Sequence, residues 1–269
     1  MMISFFCTVW GNTLPFEAFC TRVLEAGYDG VEMDLPADPQ EAAKRVRLLR
    51  DHGLRFIGQY WQSLESDVRS NRENYRRHLE QLAAAGPEFI NAQTGKDYFN
   101  MDENLSLLEI AEAITLETGV KVIHETHRGK FLFCIPKLKE ALSRVPDLSI
   151  TLDASHWCNV HESLLEDQQS AMIEAIGATR HIHARVGHPE GPQVNDPRAR
   201  EWSDAVNAHL GWWDQVVAIH RQSGRELTIT PEFGPAPYMP ELPHTREPLA
   251  SQWDVNLHMM RLLKDRYQI

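Results

Sequence analysis

Four short strings in this chain join an apolar run to an acid or an imidazole: VIHETHRG over 122–129, ITLDASHW over 150–157, HIHARVGH over 181–188 and ITPEFGP over 229–235. Read as strands, they end in Glu125, Asp153, His181 or His183, and Glu232. The period-two alternation of a strand puts Thr151 with Asp153, His181 with His183, and Thr228 and Thr230 with Glu232 on shared faces. Ile150, Leu152, Ile182, Leu227 and Ile229 take the opposite faces, so the polar groups are expected to converge inward. Three carboxylates and an imidazole in one place repel one another and are costly to desolvate unless a cation neutralises them. The pattern therefore points to one divalent metal ion held by Glu125, Asp153, His183 and Glu232. Oxygen-rich coordination with one nitrogen favours Mn²⁺, with Mg²⁺, Co²⁺ or Zn²⁺ also compatible. His183 is preferred to His181 because it lies one pleat nearer the strand's C-terminal end, a choice that depends on the strand register. Taken singly, each acid also suits a helix N-cap or first turn; their recurrence at consecutive strand ends is what favours chemistry. The HETH string is not a HExxH motif and does not set two histidines on one helical face.

Such a site needs a scaffold that brings distant strand ends together. Eight apolar runs qualify as strands: 2–7, 30–33, 54–59, 89–93, 120–124, 148–153, 181–184 and 227–231. Amphipathic stretches separate them, several closing on a glycine, the usual helix stop (Gly27, Gly53, Gly86, Gly119, Gly177, Gly224). Eight strand–helix units are the arithmetic of a single (β/α)8 TIM barrel over residues 1–269, whose active sites lie at the C-terminal ends of the strands. An open doubly wound sheet uses the same alternation, but neither GxGxxG nor GxxxxGK[ST] follows the first strand. The longest gap, between the seventh and eighth runs, opens with VGHPEGPQVNDPRAREW over 186–202. It is expected at the same rim, as a lid or as an ordered excursion covering apolar surface. Trp10, Gln59, Tyr60, Trp61, Asn91 and Gln93 also fall at the rim, where aromatic faces suit sugar C–H surfaces and amides suit hydroxyls; ordinary barrel-mouth packing is the alternative.

A composition of 42% hydrophobic and 24% charged residues is that of a folded globular chain, not a disordered or fibrous one. Lys and Arg total 27 against 38 Asp and Glu, and the resulting net charge of −11 disfavours nucleic acid and anionic membrane as partners. Histidine is abundant, with 13 residues, several clustered beside acids. No apolar stretch approaches the roughly 18 residues of a membrane helix. The opening MMISFFCTVWGN lacks the marks of a secretory leader, and Cys7, Cys20, Cys134 and Cys158 show no CxxC spacing. A cytoplasmic chain with reduced thiols is expected.

In the order and spacing of ETH, LDxxH (here LDASH), HxH and PEF, the chain resembles the xylose isomerase-like barrel superfamily. Within it, the resemblance is to the sugar phosphate isomerase/epimerase group of ketose 3-epimerases, hydroxypyruvate isomerase and inosose dehydratase. It runs from the first strand to the last helix. The resemblance implies that Glu125 and Glu232 are both metal ligands and the acid/base pair, with Asp153 and His183 completing the coordination. It also implies that His156 contacts a substrate oxygen and that Arg185 binds substrate; His127 and Arg128, which follow Glu125, can meet the same molecule. Trp10, Gln59 and Gln93 complete the expected substrate-binding set.

The activity so implied is a metal-dependent isomerase or epimerase acting on a keto-sugar or related polyol. One glutamate removes the proton beside a carbonyl, a metal stabilises the enediolate, and a proton returns on the opposite face or at the neighbouring carbon. The alternative on the same scaffold is a lyase or dehydratase of a keto-inositol or 3-keto-glycoside. An apurinic-endonuclease reading would need more His and Asp ligands and a basic rim; a non-catalytic sugar-binding barrel would not need the acid pair. Only Arg128 and Arg185 are at hand for a phosphate, which favours a non-phosphorylated sugar or inositol derivative. A homo-dimer or tetramer is expected from barrels of this group, with Trp212, Trp213 and Trp253 as contacts or as helix-to-barrel packing.

Overall fold

The computed structural model of the protein describes residues 2–269. Its strands are β1 (Ile3–Thr8), β2 (Gly30–Met33), β3 (Arg55–Tyr60), β4 (Ile90–Ala92), β5 (Val122–Glu125), β6 (Ile150–Leu152), β7 (Thr179–His183) and β8 (Leu227–Thr230). Each pairs in parallel with the next, and β8 pairs with β1, so the sheet closes into the expected (β/α)8 barrel. The outer ring consists of α1 (Phe16–Ala26), α2 (Pro39–Asp51), α3 (Val68–Ala84), α4 (Met101–Thr118), α5 (Ile135–Arg144), α6 (Ala154–Val160), α7 (Gln169–Ala178), α8 (Ser203–Ser223) and α9 (Gln252–Tyr267). No helix among the described residues is long and apolar enough to cross a membrane.

The strand alternation sorts the chain into two environments. Outward residues such as Phe5, Val31, Ile90, Ile150, Ile182 and Ile229 pack with Val23, Leu49, Leu79, Leu107, Trp213 and Met259 of the helices into one apolar layer. Inward residues are largely polar, and Ser4, Glu32, Asn91, His181, Thr228 and Thr230 are all buried. At the N-terminal end of the barrel, Arg55 donates to Ser4 Oγ at 2.9 Å and to Glu226 Oε1 at 2.5 Å, and its guanidinium lies 5.3 Å from the Phe6 ring centre.

Local detail refines the sequence expectation. The sixth strand stops at Leu152, because Asp153 turns to cap α6, accepting from the Ser155 amide at 3.0 Å. The helix before the eighth strand starts at Ser203, so Gly211 lies within it. The 186–202 segment is the ordered excursion rather than a free lid: Val186 and Val194 are buried, and Gln193 exchanges hydrogen bonds with the backbone of Gly234 at 2.7 and 3.2 Å. Trp213 is fully buried against the barrel, while Trp212 and Trp253 are partly buried against the same apolar layer.

Gly30 opens β2 with Phe6 against it, and a Cβ at this position would lie 2.6 Å from the Arg55 carbonyl oxygen. Gly30→Ala should therefore destabilise the barrel by about 1–3 kcal/mol, the usual range for overpacking. Denaturant unfolding followed by far-UV circular dichroism measures it; an unchanged midpoint would contradict the packing described.

Candidate active site

Four strands deliver the predicted cluster. Glu125 is the last residue of β5, Asp153 follows β6 as the cap of α6, His183 ends β7, and Glu232 stands two residues beyond β8. Each offers a ligand atom, all within 4.8 Å of one another, and all four side chains are buried. Carboxylates accept hydrogen bonds and cannot donate when ionised, so their mutual approach is tolerable only around positive charge.

The orientation of His183 shows what that charge must satisfy. Its Nε2 lies 3.0 Å from Glu32 Oε1, which makes Nε2–H the donor. Its Nδ1 faces two of the carboxylates, 3.0 Å from Glu232 Oε2 and 3.8 Å from Glu125 Oε1. A ring nitrogen turned toward carboxylates from inside a sealed barrel is where a divalent cation fits, and the carboxylate behind Nε2 is the usual orienting partner of a metal-ligating imidazole. His181 does not compete. Its Nδ1 meets the carbonyl and hydroxyl oxygens of Thr228 at 2.9 and 2.7 Å, and its Nε2 lies 3.2 Å from Glu32 Oε2. The strand register thus brings His183, and not His181, to the three carboxylates.

Glu32 was not foreseen. It lies on β2, fully buried, and accepts from Thr230 Oγ1 at 2.6 Å and Asn91 Nδ2 at 3.0 Å in addition to the two histidines. Burial alone would raise its pKa, but His183 and His181 hold it well below the carboxylate range. The signal was available in GVEMD, where acids occupy alternate positions of an otherwise apolar run.

The two glutamates are chemically alike and differently placed. Burial pushes Glu125 up to about 8; His183 opposes this, while Glu232 and Asp153 add to it. Burial also acts on Glu232, but His183 and Arg185 hold that carboxyl below its ordinary value. Asp153 is raised by burial despite Arg185 beside it. Amides fix the glutamate oxygens: Gln59 Nε2 donates to Glu232 Oε1 at 2.9 Å, Asn91 Nδ2 to Glu125 Oε2 at 3.1 Å, and Gln93 Nε2 to Glu125 Oε1 at 3.3 Å. Expected to touch substrate, Gln59 and Gln93 also orient the acids that face it.

A cavity of about 410 Å³ opens above the cluster. Trp10, Gln59, Gln93, His127, Arg185 and Glu232 of the expected set line it, together with Val9, Met33, Asp34, Trp61 and Tyr238. The structure puts two expected substrate contacts elsewhere. His156 is fully buried against His127, with ring centres 3.8 Å apart and planes tilted by 47°. Arg128 donates to Asn159 at 3.2 Å and lies 5.1 Å from the Tyr238 ring centre, off the cavity wall. Tyr60 turns outward onto Tyr75. Arg185 reaches the wall but is already engaged: it donates to Asp153, to Ser155 Oγ at 3.1 Å, to His156 Nε2 at 2.7 Å and to the Glu232 carbonyl at 3.4 Å. Tyr238 arrives on the loop between β8 and α9, and no spacing pattern announces it.

Burial would lower His183, but Glu232, Glu32 and Glu125 raise it well above the imidazole range, so without metal both Glu125 and His183 carry protons near neutral pH. A cation must displace them, and apparent Mn²⁺ affinity should climb from pH 6 to about 8 with net proton release, read by titration calorimetry in buffers of different ionisation enthalpy. A flat affinity profile would contradict this. Glu32→Gln should weaken Mn²⁺ binding by roughly 10- to 100-fold with the fold retained, the usual effect of losing an outer carboxylate partner.

The family model described as xylose isomerase-like TIM barrel matches residues 20–212. No curated protein sequence matches the chain. Among solved structures, a 3-keto-D-glucoside 4-epimerase from E. coli superposes with a TM-score of 0.64 at 15% identity, covering 98% of this chain and 99% of that one. A xylose isomerase-like TIM barrel protein from Mycobacterium smegmatis in complex with magnesium gives 0.63 at 10% identity, with 97% of each chain covered. A probable 3-DHS dehydratase from Bacillus anthracis gives 0.60 at 17% identity, over 98% of this chain and all of that one. At such identities the likeness is one of fold, and the first and third of these neighbours are named for different reactions, an epimerase and a probable dehydratase. The family match, which spans most of the barrel, carries the assignment: this chain belongs to the xylose isomerase-like TIM barrel family.

Proposed function

We propose that the protein is a divalent-metal-dependent isomerase or epimerase acting on a keto-sugar or related polyol. The observation that carries this reading is the pair of buried glutamates that face His183 Nδ1 from two strand ends, Glu232 at 3.0 Å and Glu125 at 3.8 Å. Glu125, Asp153, His183 and Glu232 would hold the metal, with Mn²⁺ favoured by the oxygen-rich set. A cation there supplies positive charge to the oxygen on which negative charge builds when a C–H beside a carbonyl ionises.

The side chains account for the rest. Glu232, held ionised by His183 and Arg185, is the base that accepts the proton; Glu125, the carboxylate with the higher proton affinity, faces it across the site and passes on the proton that returns. Gln59 and Gln93 fix the carboxylate oxygens that face the substrate. Trp10, Trp61 and Tyr238 provide flat apolar faces at the mouth, suited to the C–H surfaces of a sugar ring. His127 presents its ring to the cavity, its Nδ1 occupied by the Arg128 carbonyl at 2.6 Å, so Nε2 remains to accept from a hydroxyl.

The reading is tested by incubating the Mn²⁺-loaded enzyme with a panel of keto-sugars in deuterated water. Deuterium on the carbon beside the carbonyl in recovered isomers is expected, and Glu125→Gln or Glu232→Gln should lower kcat by roughly 10²–10⁴-fold. Chelation should abolish turnover, and added Mn²⁺ should restore it. An unsaturated or deoxy product would assign the lyase reaction instead.

A further inference from the structure

Asp34 directly follows β2, on the face that carries Glu32 and one pleat nearer the mouth. It lines the cavity, and nothing in the proposed chemistry uses it. Its Oδ2 accepts from Trp61 Nε1 at 2.9 Å and from Gln62 Nε2 at 3.1 Å, while Oδ1 accepts no hydrogen bond among the described residues. One oxygen therefore clamps an aromatic wall, and the other is left for whatever enters.

The surrounding charges make that oxygen selective. The other ionisable groups of the wall, apart from His127 and Tyr238, are Glu232 and Arg185, and Arg185 already spends Nε, Nη1 and Nη2 on protein acceptors. Lys130 is buried away from the wall, its Nζ on the Ser63 carbonyl at 3.1 Å. A divalent cation and Arg185 together balance Glu125, Asp153 and Glu232. Glu32 beneath and Asp34 above then remain, against Arg128 alone, which lies off the wall beside Tyr238 with Nη1 on Asn159, so the cavity would stay net negative with a divalent cation bound. A phosphate monoester, with close to two negative charges at neutral pH, would meet repulsion at the mouth and no free cation on the wall.

We infer that Asp34 is a specificity-determining residue, which takes a substrate hydroxyl on Oδ1 and selects uncharged hydroxylated substrates over their phosphate esters. The inference rests on the keto-sugar reading of the site and narrows it. Asp34→Asn is the informative change, since its amide oxygen keeps an acceptor for Trp61 while the charge is lost and the atom facing the cavity becomes an NH2 donor.

The test is titration calorimetry on the Mn²⁺-loaded protein, using a panel of free ketoses each matched with its phosphate monoester. The wild type should bind the free sugar at least about tenfold more tightly, ~1.4 kcal/mol, than its ester. The gap should narrow severalfold in Asp34→Asn and reverse in Asp34→Lys. It should also shrink between about 10 mM and about 0.5 M salt, a response that a purely structural clamp would not give. Equal affinities, a preference for the ester, no binding by any member of the panel, or a gap unmoved by Asp34→Asn would each overturn the inference. Because binding is read without turnover, absence of deuterium exchange removes the isomerase reading and leaves this gap standing. Exchange with no gap removes only the role of Asp34.

Discussion

Gathering carboxylates inside a barrel is the constraint on which the rest of this structure depends. Glu32, Glu125, Asp153 and Glu232 are all buried, and an isolated buried carboxylate would sooner take up a proton than remain charged. The protein meets the cost with Arg185 against Asp153, with two imidazoles against Glu32, and with amide donors on the glutamates. These leave the Nδ1 of His183 gathered with three acids, the place where one more cation belongs.

That arrangement has structural consequences far from the site. Because the inward faces of the strands carry polar groups, the apolar core is displaced outward, between the barrel and its helices. The interior is narrow enough that β2 begins with a glycine beneath Phe6, and from that strand Glu32 reaches across to β7 and β8. A closed parallel sheet suits this task, since each strand end is fixed by its two neighbours and converges on one axis. Asp153 serves both purposes: one oxygen caps α6 and the other faces Arg185, so the feature that ends a strand and starts a helix also fixes a member of the cluster.

The site also shows how identical side chains acquire different properties. Glu125 and Glu232 are two glutamates at the ends of two strands, and burial acts on both. Glu232 has Arg185 and the close Nδ1 of His183 beside it; Glu125 has the same histidine farther off and two neighbouring acids. Opposite charges at different distances separate their proton affinities, which is what a reaction that removes a proton and returns one requires.

Much of this was legible in the residues themselves. Eight apolar runs separated by helical stretches carry the barrel, because strand and helix periods are local properties of the chain. The four strand-end residues Glu125, Asp153, His183 and Glu232 could be read the same way, since period-two alternation tells which side chains share a face. Position relative to other strands is not local. Whether His181 or His183 meets the acids depends on the register of β7 against β6 and β8 and on the partners that engage His181. Glu32 joined the cluster only once β2 was seen to face β7 across the barrel, and Tyr238 only once a long loop had folded over the mouth. His156 and Arg128 lie close in sequence to the cluster yet stand behind the cavity wall, because helix and loop directions decide where a side chain points. The sequence by itself determined which groups could do chemistry and on which face they lie; the tertiary structure decided which of them meet, because distance across a closed barrel is a property of the whole sheet.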